Sequence, residues 1–195
     1  ITQDGRYLFF ASDRMEGNLG RFDLYIAKKV GDEWEKPMNM GNVVNTRHWE
    51  SQPVISANSK QIFLVRKSND GFGGSDIYVS NLGEEGKFGS PVNLGNVINT
   101  PGDEQRPYLH PDGKTLYFAS NGHPGMGKTD VFKSILQADG AWSVPQNLGY
   151  PLNSVEMEYG LYVASDGKTA YIASDRAGGF GDMDIYSFIM PESAR

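Results

Sequence analysis

The chain has 195 residues, of which 24 are Gly and 12% are aromatic, and its formal net charge at pH 7 is −6. An acidic balance argues against a nucleic-acid partner, because phosphate backbones require a basic face on the protein. The sequence contains no Cys, which excludes disulfides and thiolate metal ligands. No apolar run approaches the ~18–20 residues that would span a bilayer.

A fixed repeat runs along the whole chain. The clearest markers recur at a step of 54 residues, as in Glu50, Glu104 and Glu158. Two further sets keep the same step: Trp34, Phe88 and Trp142, and Asn45, Asn99 and Asn153. Regular self-similarity of this length is typical of repeat architectures. We therefore divide a single domain, residues 1–195, into units of approximately 1–49, 50–103, 104–157 and 158–195.

Each unit has the pattern of four short strands. In the third unit, alternation with β-branched and aromatic side chains predicts strands at 106–109, 114–120, 130–136 and 142–145. Asp112-Gly113 forms a tight turn between the first two, and a Gly-rich loop precedes the third. A four-stranded unit that cannot bury both faces alone is typical of a propeller blade. We predict an all-β fold: a β-propeller of four-stranded antiparallel blades, with nearly four blades present.

The repeat count predicts that these blades belong to a larger ring. Dividing 195 residues by 54 gives about 3.6 units. The first unit begins late in its innermost strand, and the last stops before its outer strand. Because exposed sheet edges are a liability that proteins normally remove, we expect a ring of five or more blades. Complete outer strands are expected near Trp34, Phe88 and Trp142.

Two sets of recurrent residues have structural interpretations. The large aromatic residue of each unit, Trp34, Phe88 or Trp142, is expected to fill the gap between neighbouring blades. An Asp opens the third strand of every unit, and its carboxylate is expected to bond backbone amides of the preceding loop. These residues are Asp23, Asp76, Asp130 and Asp184.

The recurrent glutamates Glu50, Glu104 and Glu158 leave two arrangements open. In one, each carboxylate bonds backbone amides near the recurrent Asn of its own or a neighbouring blade. In the other, the carboxylates point inward and form an acidic ring that holds a cation or a basic peptide end. Like charges that converge raise one another's pKa, and a residue repeated in every blade is expected of a structural bond. The first arrangement is therefore favoured.

One segment matches a nucleotide-binding pattern. Residues 122–129 satisfy G-x-x-x-x-G-K-[ST], but a phosphate-binding loop must lead from a strand into a helix. The predicted strand that starts at Asp130 follows directly, and the equivalent loop of the fourth unit has no Lys. We therefore predict no nucleotide binding, with Lys128 pointing to solvent.

Metal and catalytic motifs have little support. The Gly- and Asp-rich loops do not space acids as an EF-hand does. His48, His110 and His123 fall at different places in their repeats, and no G-x-S-x-G or H-E-x-x-H motif occurs. Glycosidases use carboxylates with different roles, whereas equivalent acids in every blade favour a structural bond. We predict no catalytic residue, metal or cofactor.

Several motifs resemble a known repeat. Residues 172–176 (Ile-Ala-Ser-Asp-Arg), the Gly-Gly-Phe-Gly loop at 178–181 and Asp-Ile-Tyr at 184–186 are similar to the WD40-like repeat of TolB-type propellers. The variant with Gly-Gly-Phe-Gly before Asp-Ile-Tyr and Pro-x-Asn-Leu-Gly after it resembles envelope proteins of the Bacteroidota, among them OmpA-family and PorE-like proteins. The resemblance covers the whole chain.

The resemblance implies a periplasmic module associated with the outer membrane. Its expected role is a non-catalytic scaffold that binds proteins or glycans, with other envelope proteins or peptidoglycan-linked components as partners. An outer-membrane, peptidoglycan-associated or type IX secretion complex is the implied setting. The alternative is a propeller glycoside hydrolase or the propeller portion of a peptidase, which a carboxylate pair unmatched in the other blades would favour.

Overall fold

Four antiparallel sheets follow one another along the chain. The structure is a computed structural model that describes residues 1–13, 16–164 and 166–191, and its regular elements there are all strands. The first blade contains β1 (Tyr7–Ser12), β2 (Asp23–Val30), β3 (Glu33–Trp34) and β4 (Met38–Asn39). The second contains β5 (Trp49–Ile55), β6 (Gln61–Lys67), β7 (Asp76–Asn81) and β8 (Val92–Asn93).

The other two blades repeat this order. The third contains β9 (Glu104–Leu109), β10 (Thr115–Ser120), β11 (Asp130–Ile135) and β12 (Gln146–Asn147), and the fourth contains β13 (Glu158–Val163), β14 (Thr169–Ser174) and β15 (Asp184–Ile189). In the second and third blades the four strands pair in sequence order. The prediction of an all-β propeller with antiparallel blades is confirmed.

The two outermost blades differ from the middle two. In the first, β1 occupies the place of β6 and β10, so within the described residues no innermost strand lies beside it. Within the described residues the fourth sheet has three strands, and an outer strand corresponding to β8 and β12 is not among them. These two differences follow the sequence-based expectation.

Two strand boundaries were predicted wrongly. The outer strand of the third blade is Gln146–Asn147 and not 142–145, because Pro145 has no N–H for the ladder and Trp142 makes a single bridge to Leu136. The innermost strand begins at Glu104, two residues before the predicted start. There the Glu104 amide donates to the Ser75 carbonyl of the preceding blade at 2.7 Å. This hydrogen bond holds residues 104–105 in an extended conformation, so the strand starts earlier.

The core lies between the blades, because the side chains of each strand alternate between two faces. From β6, Ile62 and Leu64 pack toward the first blade, while Phe63 and Val65 pack toward the third. The third and fourth blades share a further core that contains Leu161 and other apolar residues. Each middle sheet therefore contributes to two cores, and the blades pack in chain order.

The face of the fourth blade that points away from the third is exposed. Tyr171 is 42% exposed and Ile185 is 80% exposed, whereas their equivalents Phe63 and Ile77 in the second blade are 2% and 0% exposed. In the second blade these positions are covered by the third. The last sheet therefore presents an apolar face against which no sheet of the described residues packs.

Candidate functional site

The recurrent glutamates lie in the interior, each 0% exposed. One oxygen of Glu104 accepts from the Thr100 amide, and the other accepts from the hydroxyls of Thr100 and Ser120, all at 2.7 Å. Glu158 has the same relation to the amide and hydroxyl of Ser154, at 2.9 and 2.6 Å. Glu50 repeats it with Thr46. Each carboxylate thus fastens the loop that leads into its own innermost strand.

A cation or an imidazole completes this network in three blades. Arg66 donates to the Val44 carbonyl at 2.9 Å, and Arg176 donates to the Leu152 carbonyl at 2.7 Å. In the third blade His123 Nε2 lies 2.8 Å from the Ile98 carbonyl. The three carbonyls occupy one repeat position, but the donors come from different positions. The sequence repeat therefore did not reveal them as a set.

Two of these cations also pair with a recurrent glutamate. Arg66 Nε lies 2.8 Å from Glu50, and Arg176 lies 3.1 Å from Glu158. Among the described residues Glu104 has no arginine partner and accepts from the Ser120 hydroxyl, as Glu158 also accepts from the equivalent Ser174 hydroxyl at 2.8 Å. The middle carboxylate is therefore satisfied by hydroxyl and amide donors, and its two equivalents by an arginine as well.

The aspartates that open the third strands hold the loops before them. Asp76 accepts from the amides of Phe72 and Gly73 at 2.6 and 3.2 Å, and from the Asn93 side chain at 2.9 Å. The loop contacts recur in the other blades at Asp23, Asp130 and Asp184. These carboxylates are thus engaged by loop amides in every blade.

The recurrent aromatic residues take different environments. Phe88 packs edge-on against Phe9 of the preceding blade at 5.9 Å, and Trp142 packs likewise against Phe63 at 6.4 Å. Trp34 belongs to the first blade and is 39% exposed. Where a preceding blade is present, the aromatic side chain lies against it.

A second feature lies at the centre, where the innermost strands meet. Each of these strands has a β-bulge, and one residue per bulge has positive φ: Gln52 (52°), Arg106 (52°) and Gly160 (61°). For residues with a Cβ this conformation costs about 1–2 kcal/mol. The Arg106 amide donates to Gln52 Oε1 at 2.5 Å, which ties adjacent bulges together. Bulges commonly redirect a side chain near functional sites.

These bulges line an axial cleft of about 310 Å³. Its walls are three equivalent tripeptides, residues 52–54, 106–108 and 160–162. Tyr108 and Tyr162 lie with their ring centroids 5.6 Å apart, and Tyr162 is 57% exposed. Burial, with a smaller contribution from Tyr162, raises the pKa of Tyr108, so the phenol is neutral at physiological pH. The axial cleft thus combines a cation, two phenols and apolar walls.

The segment with the nucleotide-binding pattern leads into strand β11, with no helix after it. Lys128 is 55% exposed at its side chain, and it pairs with Glu156 in the loop that leads into the following blade. Gly127 lies so close to the carbonyls of Ser154 and Glu156 that an added Cβ would overlap them. Its glycines therefore permit close contact between blades, and its lysine is engaged by an acid.

Two kinds of feature are absent from the described residues. No group of three or more His, Asp or Glu side chains is placed to hold a metal ion. Within the same residues, none of the elements is a helix long and apolar enough to cross a membrane.

The fold is similar to that of solved propellers. TolB from Acinetobacter baumannii has 17% identity and a TM-score of 0.63 over 96% of this chain, and a protein described as TolB from Agrobacterium tumefaciens has 16% and 0.66 over 97%. An α-L-arabinofuranosidase from Lactobacillus brevis has 12% identity and a TM-score of 0.54 over 100% of this chain and 72% of its own. The chain spans 40% and 60% of the two TolB chains.

The sequence comparisons add no closer relative. No protein-family model matches the chain, and no curated protein matches its sequence. At these identities the structural likeness concerns the fold alone. In its architecture the chain is a β-propeller, similar in fold to the propellers of these TolB structures.

Proposed function

We propose that this chain is a non-catalytic binding propeller whose axial cleft receives a partner. The observation that carries the proposal is a contrast between two sets of equivalent residues. The recurrent glutamates are the same in the three blades that have an innermost strand, and they are buried in loop contacts. The bulge residues Gln52, Arg106 and Gly160 differ from blade to blade and line an open cleft. A surface that recognises a partner needs such variation, whereas a repeated structural bond does not.

The proposal includes a larger ring. The apolar face of the fourth blade, with Ile185 80% exposed, is equivalent to a face that is buried in the second and third blades. Covering it with another blade of the same kind would remove the exposed apolar surface and extend the axial cleft into a closed channel. A ring of five or more blades remains our interpretation.

We place this scaffold in the periplasm, associated with the outer membrane. The support comes from the motifs that resemble Bacteroidota envelope proteins and from the fold shared with TolB. Partners of this kind would be other envelope proteins or peptidoglycan-linked components, in an outer-membrane or type IX secretion complex. Their recognition would use the axial cleft and not the blade edges.

A photo-crosslinking experiment tests the binding role. Benzoylphenylalanine is placed at Tyr162, which lines the axial cleft, or at Val92, which is 62% exposed on an outer strand. In cells that export the protein to the periplasm, we expect a discrete crosslinked partner from position 162 and none from position 92. Equal crosslinking at both positions, or none at either, would contradict the assignment.

An enzyme assay tests the alternative. The likeness to the arabinofuranosidase fold makes glycoside hydrolysis the competing activity to measure, and peptide hydrolysis is assayed beside it. The scaffold proposal predicts no turnover of chromogenic glycosides or peptides. Turnover by the unmodified chain would establish an enzyme, and its loss in a Glu104→Gln variant that remains folded would assign the reaction to that carboxylate.

A further inference from the structure

The charge of the axial cleft is unbalanced. Arg106 is exposed and contributes a positive charge to the lining, while none of the lining residues is acidic. Among the described residues, no carboxylate lies within 4.0 Å of its guanidinium. Yet the chain as a whole carries a net charge of −6. An unpaired arginine at the centre of an acidic protein is therefore placed to attract an anion from outside.

The backbone at Arg106 gives a second reason to assign a role to its side chain. Its φ of 52° is in the left-handed region, where glycine is the residue without a steric penalty. The fourth blade has a glycine at this place, Gly160, with nearly the same φ of 61°. Glycine would thus fit the bulge of the third blade at least as well as arginine. The fold does not require the Arg106 guanidinium, so we infer that this group serves to bind a ligand.

The walls of the cleft indicate which kind of anion fits. Pro53, Pro107 and Leu161 make much of the lining apolar, and the Gln52 side-chain oxygen is already occupied by the Arg106 amide. Few polar groups remain for the many hydroxyls of a sugar. A peptide needs fewer, since its apolar and aromatic side chains pack against proline and tyrosine.

We propose that Arg106 binds a carboxylate of a peptide segment that docks in the axial cleft. The carboxylate belongs to an acidic side chain or to a chain terminus, and the guanidinium accepts either in a bidentate pair. Tyr108 and Tyr162 lie beside it and pack against the residues that flank the carboxylate. This inference rests on the proposed binding role of the cleft and specifies the chemistry of the partner.

The test begins with random displayed peptides selected on the full chain. Each enriched peptide is synthesised in three forms: unchanged, with one Asp or Glu at a time replaced by Asn or Gln, and with an amidated C-terminus. The affinity of each form is measured by fluorescence polarisation. We expect binding that depends on one carboxylate and that weakens with added salt. The separate acid-to-amide changes show whether this carboxylate is a side chain or the terminus.

Three variants complete the test. Arg106→Gly should bind at least about tenfold more weakly, as expected when a charged hydrogen bond is lost, while its melting temperature stays unchanged or rises. Arg106→Gln removes the charge but keeps a polar side chain with a Cβ and Cγ, and it should show the same loss without the change to glycine. Arg21→Gln removes an exposed arginine that does not line the axial cleft, and it should bind as the unmodified chain does.

The outcomes separate this inference from the binding role itself. Peptides that bind Arg106→Gly and the unmodified chain equally, or that need no carboxylate, overturn the inference and leave the binding role standing. If no peptide is enriched and the crosslinking at Tyr162 is also negative, both fail. Binding of acidic oligosaccharides such as oligogalacturonates, without binding of peptides, overturns the peptide assignment in favour of a glycan.

Discussion

Asn99 pairs with Ile77 through its side chain as a neighbouring strand would through its backbone. Its Oδ1 accepts from the Ile77 amide at 2.8 Å and its Nδ2 donates to the Ile77 carbonyl at 3.0 Å. Asn45 and Asn153 form the same pair of bonds in the first and third blades. Asn99 is 1% exposed, so these bonds are shielded from water. The side chain thus satisfies strand β7 where the short outer strand β8 ends.

The first prediction concerns this amide. Asn99→Ala should lower the free energy of unfolding by about 1–3 kcal/mol, because it leaves the buried Ile77 amide unpaired, while the Ile77 carbonyl still accepts from the Leu94 amide at 3.1 Å. Asn99→Asp should cost more, since a carboxylate oxygen would then face the Ile77 carbonyl. Urea denaturation followed by Trp fluorescence measures both. Asn81→Ala is the control: Asn81 is exposed and its change should stay within about 0.5 kcal/mol. An Asn99→Asp variant as stable as the unmodified chain would refute the assignment.

Much of the fold could be predicted because the repeat exposes the positions that build each blade. The Asp of each third strand and the Asp-Gly turns have fixed local geometry, and their sequence signals are local too. Even the departure at Asn58-Ser59 preserves the turn, since Ser59 takes a φ of 58°. Strand ends were less predictable: the start of β9 depends on a hydrogen bond to the preceding blade, which no local pattern contains.

The axial cleft could not be predicted for a related reason. Gln52, Arg106 and Gly160 share a repeat position but no side-chain chemistry, so they did not stand out as a set. Their common property is a positive φ, which the bulge register imposes and not the residue type. Arg66, His123 and Arg176 were missed because they reach equivalent carbonyls from different positions. A sequence repeat reveals positions that keep the same residue type, whereas these sites consist of equivalent positions in the fold that hold different residue types.

The second prediction concerns Glu104. Hydrogen-bond donors alone approach its two oxygens, so Glu104→Gln would turn an NH2 group toward the Thr100 amide or toward the two hydroxyls. We expect the free energy of unfolding to fall by about 1–3 kcal/mol with peptide binding unchanged. Thermal unfolding and fluorescence polarisation measure the two effects.

Glu84→Gln is the matched control for that change, because Glu84 is exposed, and it should alter neither property. A Glu104→Gln variant that melts normally but loses a bound cation or partner would instead identify the glutamates as a functional acidic ring.

The third prediction is a pH dependence at the turn of the fourth blade. Bonds from the Thr169 hydroxyl and from the Thr169 and Lys168 amides lower the pKa of Asp166 from 3.8 to about 2. The folded state therefore favours the charged form. The stability that this carboxylate adds is complete above about pH 5 and is lost as the pH falls toward 2.

Asp166→Asn reports that contribution, because the amide keeps an acceptor but cannot titrate. We expect the urea midpoints of the variant and the unmodified chain to differ by a constant amount from neutral pH to about pH 5, and to converge below pH 4. The second blade already has Asn58 at this place, where its Oδ1 accepts from the Lys60 amide at 3.0 Å. A difference that does not vary across this range would contradict the role of the charge.

The last prediction tests the larger ring with one matched pair of substitutions. Gly73 and Gly181 hold the same place in the second and fourth blades. A Cβ at Gly73 would overlap the carbonyl oxygens of Thr100 and Gly102 in the loop that leads into the third blade, whereas nothing lies within 4 Å of a Cβ at Gly181. Because backbone oxygens cannot rotate away, Gly73→Ala should lower the free energy of unfolding by about 3 kcal/mol or more. Gly181→Ala should be neutral or slightly stabilising in this chain, since alanine loses less backbone entropy on folding.

If the exposed face of the fourth blade is covered by a further blade in a longer protein, Gly181→Ala becomes as costly there as Gly73→Ala is here. Urea denaturation of both variants, in this chain and in a longer one, measures the difference. A Gly181→Ala variant that remains neutral in the longer protein would show that no blade of this kind packs on that face.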